Sequence, residues 1–238
     1  MMKMSSSVVA LLNSESLIYM AKIIEPHFAA EPELVNENPD ILLQAKEEDS
    51  DIYNKRFQNL TLKDGNLSGL SLNKVIFENC KFSECDFSKV SFVECVIKNS
   101  AFSNCQLRNT HFNICHISTS KFIGATVEES IFRQCIFTDS GFQYANFDHS
   151  SFKNVSLTDC NMTSANMSEC KISNVEVACT DFTGVNFFKS SLYGIDFSDS
   201  TIDGIIVSQN FQELKGATIN VYQAAEITKL LGVKVKYN

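Results

Sequence analysis

The nine cysteines are the residues of this sequence best suited to chemistry, because thiolates bind zinc, form disulfides and act as nucleophiles. Eight of them are separated from one another by multiples of five residues, namely Cys80, Cys85, Cys95, Cys105, Cys115, Cys135, Cys160 and Cys170. The ninth, Cys179, lies outside this series. The regular spacing has to be explained before any of these roles is assigned.

The stretch from Phe57 to Val207 has a period of five residues. All thirty-one positions in this series are apolar, and sixteen of them are Phe. A second series, mostly Cys, Ser, Thr, Ala or Val, precedes each apolar position by two residues. Five residues are too few for a pair of helices, but they suit one side of a square coil in which the large and the small residue both point inward.

Four units illustrate the pattern well, namely CDFSK (85–89), ANFDH (145–149), TDFTG (180–184) and IDFSD (195–199). They resemble the motif of the pentapeptide-repeat family, a central Leu or Phe with a small residue two positions before it. The resemblance implies an all-β solenoid, a right-handed quadrilateral β-helix with four pentapeptides per coil. Thirty-one units then predict about eight coils. Stacked Phe side chains would fill the interior, so neither a ligand pocket nor a cofactor is expected.

In such a coil the periodic cysteines are small buried residues that Ser, Ala, Val and Thr replace in other units. A zinc site needs ligands that converge on one point, whereas Cys80 and Cys85 fall on adjacent sides of the coil. Cys95, Cys115 and Cys135 form a vertical ladder, but parallel side chains rarely reach disulfide geometry. We therefore expect eight buried, reduced cysteines, an exposed thiol at position 179, and no metal site.

The charged residues are unevenly distributed around the predicted coil. The net charge of −8 argues against binding nucleic acid by phosphate neutralisation. The predicted acidic face is the candidate contact surface for a protein partner and carries Glu78, Asp139, Asp159, Glu176, Asp196 and Asp199 against Arg56 and Lys98. The predicted basic side carries Lys74, Arg133, Lys153 and Lys171 against Glu94.

Residues 1–55 precede the repeat and are predicted to form a partly helical extension, which either caps the first coil or binds a partner. Helices are expected in SVVALLNSESLIYMAKII (7–24) and in DILLQAKEED (40–49). The apolar run Val8–Leu12 is too short for a secretion signal, and no stretch is long enough to span a membrane. A cytoplasmic protein without membrane contact is therefore expected, although an effector delivered into a host cell would have the same features.

Residues 56–219 are assigned to the β-helix and residues 220–238 to a C-terminal cap. Asn220 is predicted to begin a helix that Gly232 ends, and VKVKY (233–237) to form a short strand. This ending resembles the C-terminal cap of quinolone-resistance members of the family, which implies a homodimer joined at the caps. The candidate cap and dimer residues are Val221, Ile227, Leu230, Leu231 and Val233.

Within this cap, Ile227 and Leu230 are expected to cover the last coil, while Leu231 and Val233 remain for the partner subunit. The alternative is that Leu231 and Val233 fold down on the last coil and leave a monomer.

The sequence contains no Ser–His–Asp order, phosphate-binding Gly-rich loop or HExxH motif. His111, His116 and His149 are expected to be solvated surface residues. We therefore expect a non-catalytic interaction scaffold that presents flat, charged solenoid faces to a protein partner. The alternative, which rests on the resemblance, is a DNA mimic that binds a type II topoisomerase such as gyrase and modulates or protects it. Neither function involves direct contact with nucleic acid.

Overall fold

The computed structural model describes residues 23–236, which form a parallel β-solenoid with a short helix near each end. The strands are β1 (Glu33–Asn36), β2 (Ile52–Tyr53), β3 (Lys55–Gln58), β4 (Thr61–Lys63), β5 (Ser71–Asn73), β6 (Ile76–Glu78), β7 (Lys81–Ser83), β8 (Ser91–Val93), β9 (Val96–Lys98), β10 (His111–Ser118), β11 (Ile131–Thr138), β12 (Ser151–Thr158) and β13 (Lys171–Ala178). The helices are α1 (Asp40–Glu47), α2 (Val221–Leu230) and a 3-10 turn at Gln212–Leu214. No helix among residues 23–236 has the length and apolar character needed to cross a membrane.

Strands within the repeat pair in parallel with a register of twenty residues. Phe112 lies opposite Phe132, and Phe132 lies opposite Phe152. One coil therefore consists of four five-residue units, and the β-helix that the family resemblance implies is confirmed. The solenoid has about seven turns, slightly fewer than the eight expected. The last units do not complete a regular coil. The amide of Phe182 donates to the carbonyl of Thr201, as the regular register requires, but the amide of Leu192 donates to the carbonyl of Glu213, two residues beyond the regular acceptor.

The corners of the coil are formed by the residue two positions after each large apolar residue. These corner residues have a positive φ, for example 56° at Asn79, 47° at Asn99 and 57° at Asn104. Asn tolerates this left-handed conformation because its short polar side chain can bond locally. The many Asn and Asp residues at these positions therefore turn the chain from one face to the next.

The core is a continuous filling of apolar side chains. Rings in the same column stack at nearly constant spacing, with centroids 4.5 Å apart for Phe92 and Phe112 and 4.8 Å apart for Phe112 and Phe132. Neighbouring columns meet edge to face, as between Phe137 and Phe142 at 5.4 Å. Parallel offset and edge-to-face contacts are both favourable ring geometries, so the ladder spacing of the strands and the packing of the rings reinforce each other.

Residues 33–53 cover the N-terminal end of the solenoid. The predicted helix in 40–49 is confirmed as α1, in which Leu42 is fully buried against the core. Strand β1, which the sequence did not predict, pairs in parallel with β3 and extends the sheet by one strand. The other predicted helical segment, 7–24, lies almost entirely outside the described residues.

A third feature of the N-terminal region is an extended segment, residues 23–32, that runs along the outside of the rod. The amide of Ile24 donates to Gln134 Oε1 at 3.0 Å, and the amide of Glu33 donates to the carbonyl of Asn54. Asn54 and Gln134 lie four coils apart, so the segment between Ile24 and Glu33 spans this distance. Corner residues along this path, including Lys74 and Ile114, are half-buried, while residues at the next corner are exposed.

The C-terminal helix α2 begins at the predicted cap. The Asn220 side chain accepts hydrogen bonds from the amides of Tyr222 and Gln223, and the Gln223 side chain bonds back to the Asn220 amide. Gly232 follows the helix with a φ of 76°. The predicted strand at 233–237 was wrong, because residues 233–236 pair with no strand. Alternating apolar residues form a strand only where a neighbouring edge accepts their backbone bonds.

Candidate interaction surfaces

The six acidic residues predicted to form one face all lie on the side of the coil that contains β3, β6 and β9. Five are exposed, namely Asp139, Asp159, Glu176, Asp196 and Asp199. They are spread over four coils. The residues therefore share a side of the rod but form a long, dilute charge pattern and no enclosed site.

Glu78, the sixth acidic residue, is neutralised by its neighbours. Its carboxylate forms a salt bridge with Arg56 and lies 3.8 Å from the ammonium of Lys98. The hydrogen bond from Arg56 is the main cause that lowers the pKa of Glu78, although partial burial opposes it. Glu78 therefore contributes little free negative charge to this face.

The backbone at two corners of the acidic face is held by bonds to the next coil. The amides of Asp139 and Asp159 donate to the carbonyls of Thr158 and Ala178 in the following coils, both at 3.0 Å. Both residues have a positive φ, 48° and 53° respectively, which fixes the direction in which the Cα–Cβ bond leaves the corner. Their carboxylates form no salt bridge with any residue from 23 to 236, so they are free to meet a cationic partner.

The predicted basic side contains a pair of stacked cations. Arg133 on β11 lies directly opposite Lys153 on β12, and both are exposed. Like charges opposite each other in a ladder destabilise the pair. Lys74, on the same side, lies 3.6 Å from the carboxylate of Glu94.

Sequence reasoning missed a charge network at another corner. His149 Nδ1 lies 2.7 Å from Asp148, its Nε2 lies 3.4 Å from Glu169, and Glu169 accepts a hydrogen bond from Lys189 at 2.8 Å. The hydrogen bond to Asp148 raises the pKa of His149, and the hydrogen bond from Lys189 lowers the pKa of Glu169. The signal was the twenty-residue spacing of positions 149, 169 and 189, which places them in one column.

The C-terminal cap presents an apolar surface. Val221 is 75% exposed, Leu230 45%, Leu231 59% and Val233 50%. Ile227 packs against the core, as expected for a residue that covers the last coil. Leu230 instead belongs to the exposed group, because α2 turns it away from the coil.

The periodic cysteines lie inside the solenoid. All eight are buried and free, and Cys179 is exposed. Burial raises the pKa of Cys160 to about 11 and that of Cys170 to about 12. A hydrogen bond with Cys105 lowers the pKa of Cys85 to about 7, but the Cys85 side chain is fully buried. Within residues 23–236, no group of three His, Cys, Asp or Glu residues has the geometry of a metal site.

Comparison with known proteins agrees with this architecture. The family model described as a pentapeptide repeat region matches residues 55–132 and 130–206. The chain belongs to the pentapeptide-repeat family. No curated protein sequence matches it.

Two solved pentapeptide-repeat structures illustrate the likeness. QnrB1, a plasmid-mediated fluoroquinolone resistance protein, is 16% identical over 84% of this chain and 95% of its own, with a TM-score of 0.47. HetL, from the cyanobacterium Nostoc sp. strain PCC 7120, is involved in heterocyst differentiation regulation. It is 12% identical over 70% of this chain and 85% of its own, also with a TM-score of 0.47.

Proposed function

We propose that this protein is a non-catalytic scaffold that binds a protein partner through the flat faces of its solenoid. The observation that carries the proposal is the division of each coil into a filled interior and a regular exterior. Inward residues such as Phe112 and Cys135 are almost completely buried, while the outward residues stand on a continuous strand ladder. A binding function on such a molecule has to use its outer surface.

The acidic face is the surface we assign to the partner. Asp139, Asp159, Glu176, Asp196 and Asp199 are exposed and form no salt bridge with a residue between 23 and 236. The negative electrostatic potential of these carboxylates is not compensated by a neighbouring cation. Such a potential attracts a basic surface of a partner toward the rod and orients the partner on it. Glu78 lies at the N-terminal end of this surface, where Arg56 and Lys98 already compensate its charge.

A second candidate function is mimicry of DNA on a type II topoisomerase. The observation in its favour is the placement of Asp139 and Asp159 in one column, one coil or ~4.8 Å apart. Negative charges then recur along the rod, as phosphates recur along a nucleic acid strand. The column is interrupted by Cys179 before it continues with Asp199. The resulting acidic pattern is sparse, and we therefore place the general scaffold first.

A charge-reversal experiment tests both candidates. The full chain and a variant with Asp139→Lys and Asp159→Lys are used to capture partners from a lysate of the source cells, with quantification by mass spectrometry. A matched control carries Glu84→Lys and Asp203→Lys, two exposed sites on another face. We expect partner recovery to fall roughly tenfold in the acidic-face variant only. Equal recovery from all three proteins would exclude the acidic face as the contact surface.

A supercoiling assay with a purified type II topoisomerase separates the two candidates. A DNA mimic inhibits or protects the enzyme at stoichiometric concentration, and the Asp139→Lys, Asp159→Lys variant loses the effect. A general scaffold leaves supercoiling unchanged.

We also propose a homodimer joined through the C-terminal cap, and a reducing compartment such as the cytoplasm. The exposed apolar residues of the cap support the dimer, because a two-fold contact would bury the same patch on both chains. The free thiols support the compartment, since nine unpaired cysteines are unusual in proteins made under oxidising conditions.

A further inference from the structure

The strand ladder stops at β13 although the coils continue. At the preceding boundary, the amide of Asp159 donates to Ala178, and the amide of Lys171 donates to Ser150. The equivalent bonds one coil later, between β13 and residues 191–198, are not formed among the described residues. A slit therefore separates two successive coils on two adjacent faces of the solenoid.

The slit is closed at both ends. The amide of Cys170 donates to Ser190 Oγ at 2.8 Å, and the amide of Thr180 donates to Ser200 Oγ at 3.2 Å. On the remaining two faces the coils stay paired, for example at the bridge between Asp181 and Thr201. The opening is therefore confined to residues 171–179, and the paired faces form a hinge behind it.

The inner wall of the slit is apolar and narrow. Ile172, Val175 and Val177 are half-buried, whereas Phe152, which precedes Ile172 in its column, is 3% exposed. The cavity that they line with Leu157 has a volume of about 10 Å³. A ligand that enters therefore has to move the two coils apart. It replaces the apolar contacts between the coils by its own apolar contacts with Ile172, Val175 and Val177.

The edge of β13 offers unpaired backbone groups to such a ligand. In earlier coils the corner amide donates to the next coil, as Asn79 does to Lys98 and Asn99 to Ser118. The corresponding amides of Asn174 and Cys179 have no acceptor among the described residues. An unpaired strand edge is an attachment site for another strand, and natural proteins usually protect such edges.

We propose that this slit binds an extended segment of a protein partner, which adds to β13 as a parallel strand. The proposal rests on the scaffold function proposed above and names a second contact site for it. Backbone hydrogen bonds would supply affinity, and the apolar columns would select the side chains.

The register of the ladder specifies the segment. It needs a large apolar residue opposite Ile172, Asn or Gly opposite Asn174 where the chain turns the corner, a small residue opposite Val175, and a large apolar residue opposite Val177. The β12 sequence SFKNVSLT, which pairs with the other edge of β13, has this pattern.

A fluorescent peptide of sequence SFKNVSLT is the probe, and its anisotropy with the full chain measures binding. The control peptide carries Asp at the three inward positions. We expect the probe to bind and the control peptide to bind at least roughly tenfold more weakly, because charges cannot enter the apolar columns. Equal binding of the two peptides, or no binding of the probe, would overturn the proposal.

A disulfide lock provides an internal control. Cys179 and residue 199 occupy equivalent places in successive coils, so the closed ladder would hold their Cα atoms ~4.8 Å apart, within disulfide range. Both positions are exposed, so their side chains are not held parallel by the packing that constrains the buried cysteine ladder. In the Asp199→Cys variant, a mild oxidant joins the two thiols and a reductant releases them. We expect the probe to bind the reduced form and to lose at least roughly tenfold in affinity for the oxidised form. Both forms have the same charge, so a difference cannot come from the acidic face.

If the disulfide does not form, amide hydrogen exchange at β13 tests the proposal instead. We expect the probe to slow exchange at the amides of Asn174 and Cys179 in the unmodified chain. Protection already present without the probe would assign the slit to another segment of the same chain, and protection that rises with protein concentration would assign it to a second copy. Either result overturns the proposal. If the probe does not bind but the acidic face still captures a partner in the charge-reversal experiment, the slit proposal fails and the proposed scaffold function remains.

Discussion

Phe122 lies in the middle of the column formed by Phe102, Phe122 and Phe142, with ring centroids 5.0 and 5.2 Å away on its two sides. The position of each neighbouring ring is fixed by the strand ladder, so the column cannot close around a missing side chain. Single inward residues therefore carry much of the stability of this fold. Outward residues contribute through charge and hydrogen bonding, which water screens.

Phe122→Ala is expected to lower the free energy of unfolding by about 3–5 kcal/mol, because it removes apolar contacts and leaves a cavity that the rigid ladder retains. Urea denaturation measures the change. The matched control is Phe188→Ala, since Phe188 is 39% exposed on the outer surface, and its cost should stay below about 1 kcal/mol. An unchanged midpoint for Phe122→Ala would contradict the filled core.

Cys179 is expected to be the one cysteine that reacts quickly with a bulky maleimide in the folded protein. The other eight thiols are buried, and burial excludes the reagent even at Cys85, whose pKa is lowered. Intact-mass spectrometry should show a single label, and the Cys179→Ser variant should show none. Several labels on the native wild type would show that the inward register is wrong.

At the scale of elements, the segment after Val207 replaces a regular unit by a loop and the 3-10 turn Gln212–Leu214. Its anchor is Glu213, which is 4% exposed and accepts hydrogen bonds from the Lys189 amide at 2.8 Å and from Ser208 Oγ at 2.7 Å. Burial raises the pKa of Glu213, but these hydrogen bonds outweigh burial, and the pKa is lowered from its ordinary value of 4.5. An ionised carboxylate therefore holds the last coil together.

This lowered pKa predicts a pH-dependent stability. A carboxyl group whose pKa is lower in the folded state stabilises the fold above its unfolded pKa, and the contribution is lost as pH falls through the folded pKa. We expect the stability difference between wild type and Glu213→Gln to be largest near neutral pH and to shrink in acid, below 4.5. Denaturation midpoints across this range measure it. Glu226→Gln is the control, because Glu226 is a half-buried carboxylate of α2 whose partner is Lys229 on the same helix and which does not contact the last coil through Lys189 or Ser208. An equal acid dependence in both variants would contradict the role of Glu213.

At the scale of the whole molecule, the two ends of the rod differ. The N-terminal end is covered by β1 and α1. At the other end, Val221 at the start of α2 and Leu231 and Val233 after the helix are half to three-quarters exposed. A solenoid without closed ends exposes apolar surface and strand edges, which favours association. The difference suits a rod that meets its own copy at one end.

We expect light scattering to give twice the mass of the 26.6 kDa chain at micromolar concentration. Leu231→Asp should reduce the mass to that of one chain, because a charge in an apolar two-fold contact is repeated on both subunits. The control is Tyr144→Asp, at a site on the side of the rod that is at least as exposed as Leu231, and it should leave the dimer intact. A wild-type mass near one chain would exclude the dimer.

The sequence by itself determined the solenoid, its inward residues and the state of the cysteines. The reason is that a period of five suits a coil in which every periodic Phe and cysteine points inward, and the family resemblance supplies the number of units per coil. The same argument placed the six acidic residues on one side, and it located the N-cap at Asn220 because capping depends on neighbours within one turn.

Only the tertiary structure decided which charges and strand edges of those surfaces are already paired. Glu78 lost its free charge because Arg56 lies in contact with it across the ladder, 22 residues away. Strand β1 and the segment beside Gln134 depend on edges and corners that exist only after the coils have stacked. The slit beside β13 has no sequence signal, since the period of five continues through it, and only the missing backbone bonds between successive coils reveal it.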